Sequence, residues 1–507
     1  MLKAMQKWGK PLFLLSVFLL MVIHFTQVAP IVIINMDDWH YLQMERTALP
    51  SWAGWNPSRI LPELLMPITA ALSARLIYPL SGDFIRSVEL GISLMVSGFI
   101  TLYMGAFLHL IRKKYNASCG RSLLLAMFFF LFHFLIFRVD IEGNDYLLRG
   151  RYDTCTFFFY LIPALWNASL VMFMSAEDYF RTRKDMPAAI RAIAAAAVYL
   201  GVFSNVFQAG ILAVYTGLDL VFTFAGNLRA KTGKPLKGLG SHFSILLLFL
   251  ISLVFESSGG RATSSGTREL GGLFVNLQQA FSDLAGRLVR SNKWFLLVLA
   301  LTLGFALFRL IPAGKKANRR KGEAIRPAVR MLTCAGVTLL YLLVMSAASF
   351  PFYIARGDVL VCSMFFLFLF MIDQIHAIIL TPRFSSLALI VLIVLAVQTN
   401  TPDRTWGVST YESMPPETSR ALMTEIIETC VEADRRGESS VEVKVPLFNY
   451  GSNWPIAPYG SDRMAGVLYR YGLTQKNMDL TLIPAEEKNH EYHLPLPEPE
   501  PVSEPVS

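Results

Sequence analysis

The chain is predicted to be an all-α polytopic membrane protein with about eleven transmembrane helices, followed by a small α/β domain on the extracytoplasmic side. Three observations predict this. Hydrophobic residues make up 54% of 507 positions, and mean hydropathy is +0.46, more apolar surface than an ordinary soluble domain carries. The apolar residues fall in runs near the roughly 20 residues that a helix needs to cross hydrocarbon, where an unpaired backbone is not tolerated. The net charge of +9 comes from basic clusters between those runs, such as Arg112, Lys113 and Lys114. That distribution fixes membrane orientation and argues against a nucleic-acid partner.

Lys3, Lys7 and Lys10 precede the first run, Pro11 to Ile34. It is too long for a signal-peptide core and lacks a small-residue cleavage site, so it is expected to stay as an anchor with a cytoplasmic N-terminus. The next span, Ser87 to Ile111, ends in the basic triplet. Between the two, Ile60 to Leu80 is apolar but carries Glu63, Arg75 and three prolines. A crossing there would put one cytoplasmic marker on the wrong side. Residues 34–84 therefore read as one long external loop holding a helix along the membrane surface.

Further spans are expected at Leu123 to Val139, Cys155 to Ser175, Ala192 to Phe207, Gly210 to Phe224, Phe243 to Phe255, Trp294 to Ile311, Met331 to Phe350, Val359 to Leu380 and Ser385 to Gln398. The pair around Asn205 and Gln208 reads as a tight external hairpin. Every second loop is basic, with Arg181, Arg183 and Lys184, then Arg229 to Lys237, then Lys315 to Lys321, then Arg383. Residues 1–400 thus form the membrane domain, 401–490 a small extracytoplasmic domain, and 491–507 a Pro/Glu tail of disordered character. In the small domain, Ala421 to Arg436 has helical apolar spacing ended by Gly437, and Val441, Val443 and Val445 alternate as a strand does.

Five cysteines without CxxC spacing suggest neither a disulfide framework nor a zinc site. His24 and His133 lie within helices and read as bundle contacts. Chemistry concentrates where the first helix leaves the membrane, in Asn35, Met36, Asp37, Asp38, Trp39, His40 and Tyr41. Carboxylates at that depth lose solvation, which favours the neutral acid and makes one of the pair a usable base.

With its long first external loop, acidic pair, surface helix and small outer domain, the chain resembles the glycosyltransferase C (GT-C) superfamily. Asp37-Asp38-Trp39 followed by Trp55-Asn56-Pro57-Ser58-Arg59 is similar to the opening of a family of bacterial membrane proteins with this layout. The chain departs from that pattern at Pro57 and Ser58, where a glycine usually precedes the arginine. The resemblance implies transfer of a sugar from a polyprenyl-phosphate donor to a cell-envelope glycan or lipid acceptor on the outer side of a bacterial inner membrane. It implies a first-loop aspartate as catalytic residue. By position this is Asp37 or Asp38, with Asp38 favoured as base and Asp37 orienting an acceptor hydroxyl or a divalent cation such as Mg2+ or Mn2+.

A leaving lipid phosphate needs cations at the same depth, and the guanidinium fork matches phosphate oxygens two at a time. The substrate-binding candidates are Arg59, Arg149, Arg151 and Arg356, with Asp145, His40 and Tyr353, whose ring suits stacking on a sugar. Residues Asp140 to Asp153 crowd charges between two membrane helices, where a mutual ion-pair network or a ligand has to satisfy them. Asn205 and Gln208 read as helix-pairing residues, and Asn449 to Arg463 as a loop of the tail domain that either packs there or covers the mouth of the site. The rival reading, a flippase of lipid-linked sugars, predicts intramembrane charges along a central pathway, whereas the conspicuous charges sit at the outer helix ends. A polymerase or ligase of envelope glycans shares the substrates and would use a large late loop, for which Ser257 to Lys293 is the candidate.

Overall fold

The computed structural model describes residues 2–34, 36–44, 46–50, 55–135, 153–229, 236–258, 270–289, 291–310, 315–380, 382–398, 414–447 and 460–496. Helix α1 (Leu2–Ile23) continues through a π turn to Val28. The helix predicted to reach Ile34 stops there because Pro30 has no N–H to continue it. Ile31 N–H instead reaches back to Phe25 O at 3.1 Å. Helix α2 (Met36–Gln43) carries the acidic pair, and α3 covers Ile60–Ser81 with a π turn at Ser73–Ile77.

Then follow α4 (Phe84–Tyr115), α5 (Cys119–Leu135), α6 (Thr154–Ala176), α7 (Ala188–Val202), α8 (Val206–Arg229), α9 (Gly240–Ser257), α10 (Leu270–Val289), α11 (Lys293–Leu310), α12 (Lys315–Ala348), α13 (Gly357–Ile379) and α14 (Pro382–Gln398). Among the described residues, eight helices are long and apolar enough to cross a membrane, and three shorter apolar ones lie at Cys119–Phe134, Ala188–Val202 and Ser386–Val397. The chain is thus a multi-pass, all-α membrane protein by length and composition. Helix α13 is the central post: 94% of its apolar window is buried, against 22% for Trp8–Val28. The peripheral helices turn leucines outward, as Leu12, Leu15 and Leu19 do on α1, a surface that only lipid covers without cost.

Two expectations are corrected. Ser257 to Lys293 is not an open loop, because α10 occupies most of it and buries Ala280 and Leu284. The Lys315 to Lys321 cluster is not a loop either, but the start of the 34-residue α12.

Helix α3 counts among the eight by length and composition, at mean hydropathy 1.5. Its ends nevertheless sit at one end of the bundle. Leu61 N–H donates to Phe203 O, just past α7, and Gly82 and Asp83 turn it straight into α4. Ile68, Leu72, Leu76 and Leu80 are exposed at a spacing of four, so they form one apolar stripe. At that same end Ser93 on α4 donates to Phe25 O at 3.1 Å, and Asn205 before α8 donates to Phe159 O at 2.8 Å. The basic ends of α4 (Arg112, Lys113, Lys114) and α8 (Arg229) point to the opposite end.

The C-terminal unit comprises α15 (Pro416–Arg435), β1 (Ser440–Val445), α16 (Gly460–Arg470), β2 (Asp479–Pro484) and α17 (Glu486–Glu491). The strands pair in parallel, Val441 with Leu480 and Val443 with Leu482. Parallel neighbours need a crossover, and α16 lies on it. Helix α15 ends as its glycine predicts, with Gly437 at φ +80° and Glu438 N–H returning to Ala433 O at 3.1 Å.

Candidate functional site

The site is built on α2, which leaves α1 through the short extended stretch Ile31 to Ile34. Val32 forms an isolated parallel bridge with Asp153 at the start of α6, and Thr154 Oγ1 donates to Val32 O at 3.2 Å. The two aspartates of α2 then face different surroundings. Asp38 is fully buried: Ile34 N–H donates to its Oδ2 at 3.1 Å and Cys155 N–H to its Oδ1 at 2.7 Å. Asp37 is exposed. Asp38, the residue favoured as base, thus has both carboxylate oxygens engaged by backbone, one on the stretch that follows α1 and one at the start of α6.

His40 and Tyr41 follow on α2. Burial pulls the His40 imidazole below its ordinary range, and nearby Arg463 pulls in the same direction, while Asp37 opposes them. Its Nδ1 is buried without a hydrogen-bond partner among the described residues. Burial raises the Tyr41 hydroxyl, against the effect of Arg59. The Tyr41 ring meets Phe159 at 4.4 Å, so α2 rests on the first turns of α6.

Both described arginine candidates already have carboxylate partners. Arg59 Nη2 donates to Glu256 at the end of α9 at 3.0 Å. Arg356 lays its fork on Asp358, at 3.0 Å from Nε and 2.6 Å from Nη2. It also stands over the Tyr160 and Tyr353 rings at 4.5 and 5.1 Å. Tyr353 therefore backs Arg356. Where the chain departs from the pattern at Pro57 and Ser58, Ser58 N–H donates to Asn56 Oδ1 at 2.9 Å, and Arg59 itself takes the left-handed conformation at φ 61°. Arg149, Arg151 and Asp145, like most of 140–153, lie outside the described residues. So do 449–459, and 460–463 open helix α16.

Asn205 and Gln208 pair helices, with Gln208 Nε2 donating to Asp358 O at 2.7 Å. His133 is a bundle contact, 3.0 Å from the Tyr103 hydroxyl and 2.7 Å from Phe129 O.

The view that conspicuous charges occupy only the outer helix ends is corrected. Asp219 on α8 lies 2.8 Å from both His242 of α9 and Arg330 of α12. Asp373 on α13 accepts from the Tyr115 hydroxyl at 2.8 Å and from Arg309 at 3.3 Å. Each lies roughly 20 Å along its helix from the α2 end. A sequence read one run at a time hides them, since the partners of each cluster come from different helices.

An open apolar groove of about 530 Å³ runs between α3, α4 and α6, lined by Leu72, Leu76, Leu94, Phe99, Leu102 and Trp166, and no ionisable side chain lines it. Compared with known proteins, the chain matches no protein-family model, no curated protein and no solved structure.

Proposed function

We propose that the protein is a membrane glycosyltransferase of GT-C type. It moves a sugar from a polyprenyl-phosphate donor to an envelope glycan or lipid acceptor on the outer face of a bacterial inner membrane. The observation that carries this reading is the division between the two aspartates. Asp38 fixes α2 against α1 and α6, and this holds Asp37 at the surface beside His40 where the first helix ends. Asp37 takes the proton of the acceptor hydroxyl as its oxygen attacks the anomeric carbon, a contribution of roughly 10²- to 10⁴-fold. The bond to the lipid phosphate breaks, and the departing oxygen needs fixed positive charge.

A divalent cation, Mg2+ or Mn2+, binds through one or two carboxylates plus phosphate oxygens. Exposed Asp37 is the carboxylate that would join the donor phosphate in holding such an ion.

The test is release of free lipid phosphate from a panel of polyprenyl-phosphate sugars by the purified protein in lipid. Asp37→Asn abolishes release while membrane expression is kept; full activity in that variant removes the assignment. The second reading, a flippase of lipid-linked sugars, draws support from the Asp219 and Asp373 clusters, since charges inside the bundle mark transport paths. Movement of intact lipid-linked sugar across the bilayer, without release of lipid phosphate, would favour it.

A further inference from the structure

We infer that Arg463, carried in by the C-terminal domain, is the cation that receives the phosphate at the Asp37–His40 site, so that the tail domain completes the site. The inference rests on the transferase reading and names the residue that this reading otherwise lacks.

Helix α16 lies along α2 in parallel register. A Cβ on Gly460 would stand 2.4 Å from Met36 Cε, and one on Gly466 would stand 2.0 Å from Gln43 Oε1. Further along, Arg470 donates to Gln43 O, and the Tyr471 hydroxyl donates to Leu42 O. Residues 460, 463 and 466 share one face of α16, just as 36, 40 and 43 share one face of α2. The two glycine contacts bracket the pair between them, which places Arg463 opposite His40, one turn from Asp37.

Three arginines at this end of the molecule are already neutralised by carboxylates. Arg59 is held by Glu256, Arg356 by Asp358, and Arg420 by Glu89 at 2.7 Å. Arg463 has no ion pair or hydrogen bond among the described residues. It faces a His40 whose Nδ1 is buried and unpartnered. An uncommitted guanidinium, an orphaned ring nitrogen and an accessible carboxylate in one place are what a phosphate ester with a neighbouring hydroxyl would engage. Burial and Arg463 both favour neutral His40, which leaves the guanidinium as the charged donor.

The test is binding of a polyprenyl monophosphate, and separately of inorganic phosphate, to the full-length protein in nanodiscs. R463A is expected to weaken polyprenyl monophosphate binding about tenfold or more. R463K should lose less, because it keeps the charge without the fork. R463A should also raise the His40 titration midpoint in an NMR titration, a readout that a merely structural arginine elsewhere would not move. Wild-type affinity in R463A overturns the inference and leaves the transferase reading standing. Arg463-dependent binding of inorganic phosphate without binding of the lipid keeps the phosphate site and removes the lipid-donor reading. Binding of neither probe to the wild-type protein removes both.

Discussion

At the scale of single residues, the acidic pair shows how neighbours one position apart acquire different work. Consecutive helical residues point about 100° apart, so a helix lying on the ends of α1 and α6 buries one carboxylate and exposes the other. Asp38→Ala would leave the Ile34 and Cys155 N–H groups bare, at roughly 1–3 kcal/mol each, and is expected to lower the thermal unfolding temperature in detergent. Asp37→Ala should leave that temperature within a degree or two. Equal destabilisation by both would contradict the division. His40 adds a pH dependence. Its folded value lies below the ordinary 6.5, so between the two the unfolded chain binds more protons. Stability contributed at His40 is therefore present above pH 6.5 and declines as pH falls toward the lowered value.

At the scale of elements, the close approach of α16 to α2 depends on Gly460 and Gly466, each with a flexible side chain where a Cβ would go. Single alanines are expected to be tolerated as Met36 and Gln43 move aside. Leucine at both positions should separate the helices, read as faster hydrogen exchange in 36–43. Unchanged protection there would show that the glycines are not what permits the contact. Within the tail, Glu425 accepts from Lys488 and from the Tyr492 hydroxyl. Burial works against its charge, but these bonds hold its carboxyl below the ordinary 4.5. Its contribution to stability is present above pH 4.5 and lost as pH falls through the lowered folded value. Glu425→Gln should flatten the acid limb of the tail's unfolding curve, and an unaltered limb would locate the acid sensitivity elsewhere.

At the scale of the whole molecule, the tail domain docks on the α2 end, and the basic helix ends point the other way. Charge asymmetry of this kind orients a bundle, and the orientation we propose has α2 and the tail together on the extracytoplasmic side. A cysteine at exposed Ser439 is then expected to react with an impermeant reagent in intact cells, and one at exposed Lys237 only after permeabilisation. The reverse pattern would invert the topology and move Asp37 away from any outer acceptor.

Much of this was legible beforehand, for identifiable reasons. Apolar run length reports helices that face lipid, and spacing around Leu422, Ile426 and Cys430 reported α15. Helix α10 was missed although Phe274, Leu277, Phe281, Leu284 and Leu288 repeat at helical intervals, because the arginines around the segment read as a loop. The clusters around Asp219 and Asp373 went unread because each joins ions from separate helices.

By itself the sequence determined that the chain is membrane-embedded and helical, that the segment after its first span opens with two carboxylates, and that a polar unit follows the last span. These are properties of local composition and period, which water and lipid act on before any tertiary contact forms. Only the tertiary structure decided which aspartate is accessible, which arginines are already neutralised, and that Arg463 comes within electrostatic reach of His40. Most of those outcomes rest on contacts between distant segments, 117 residues apart for Asp38 and Cys155 and 197 for Arg59 and Glu256, and local patterning carries no information about such pairings.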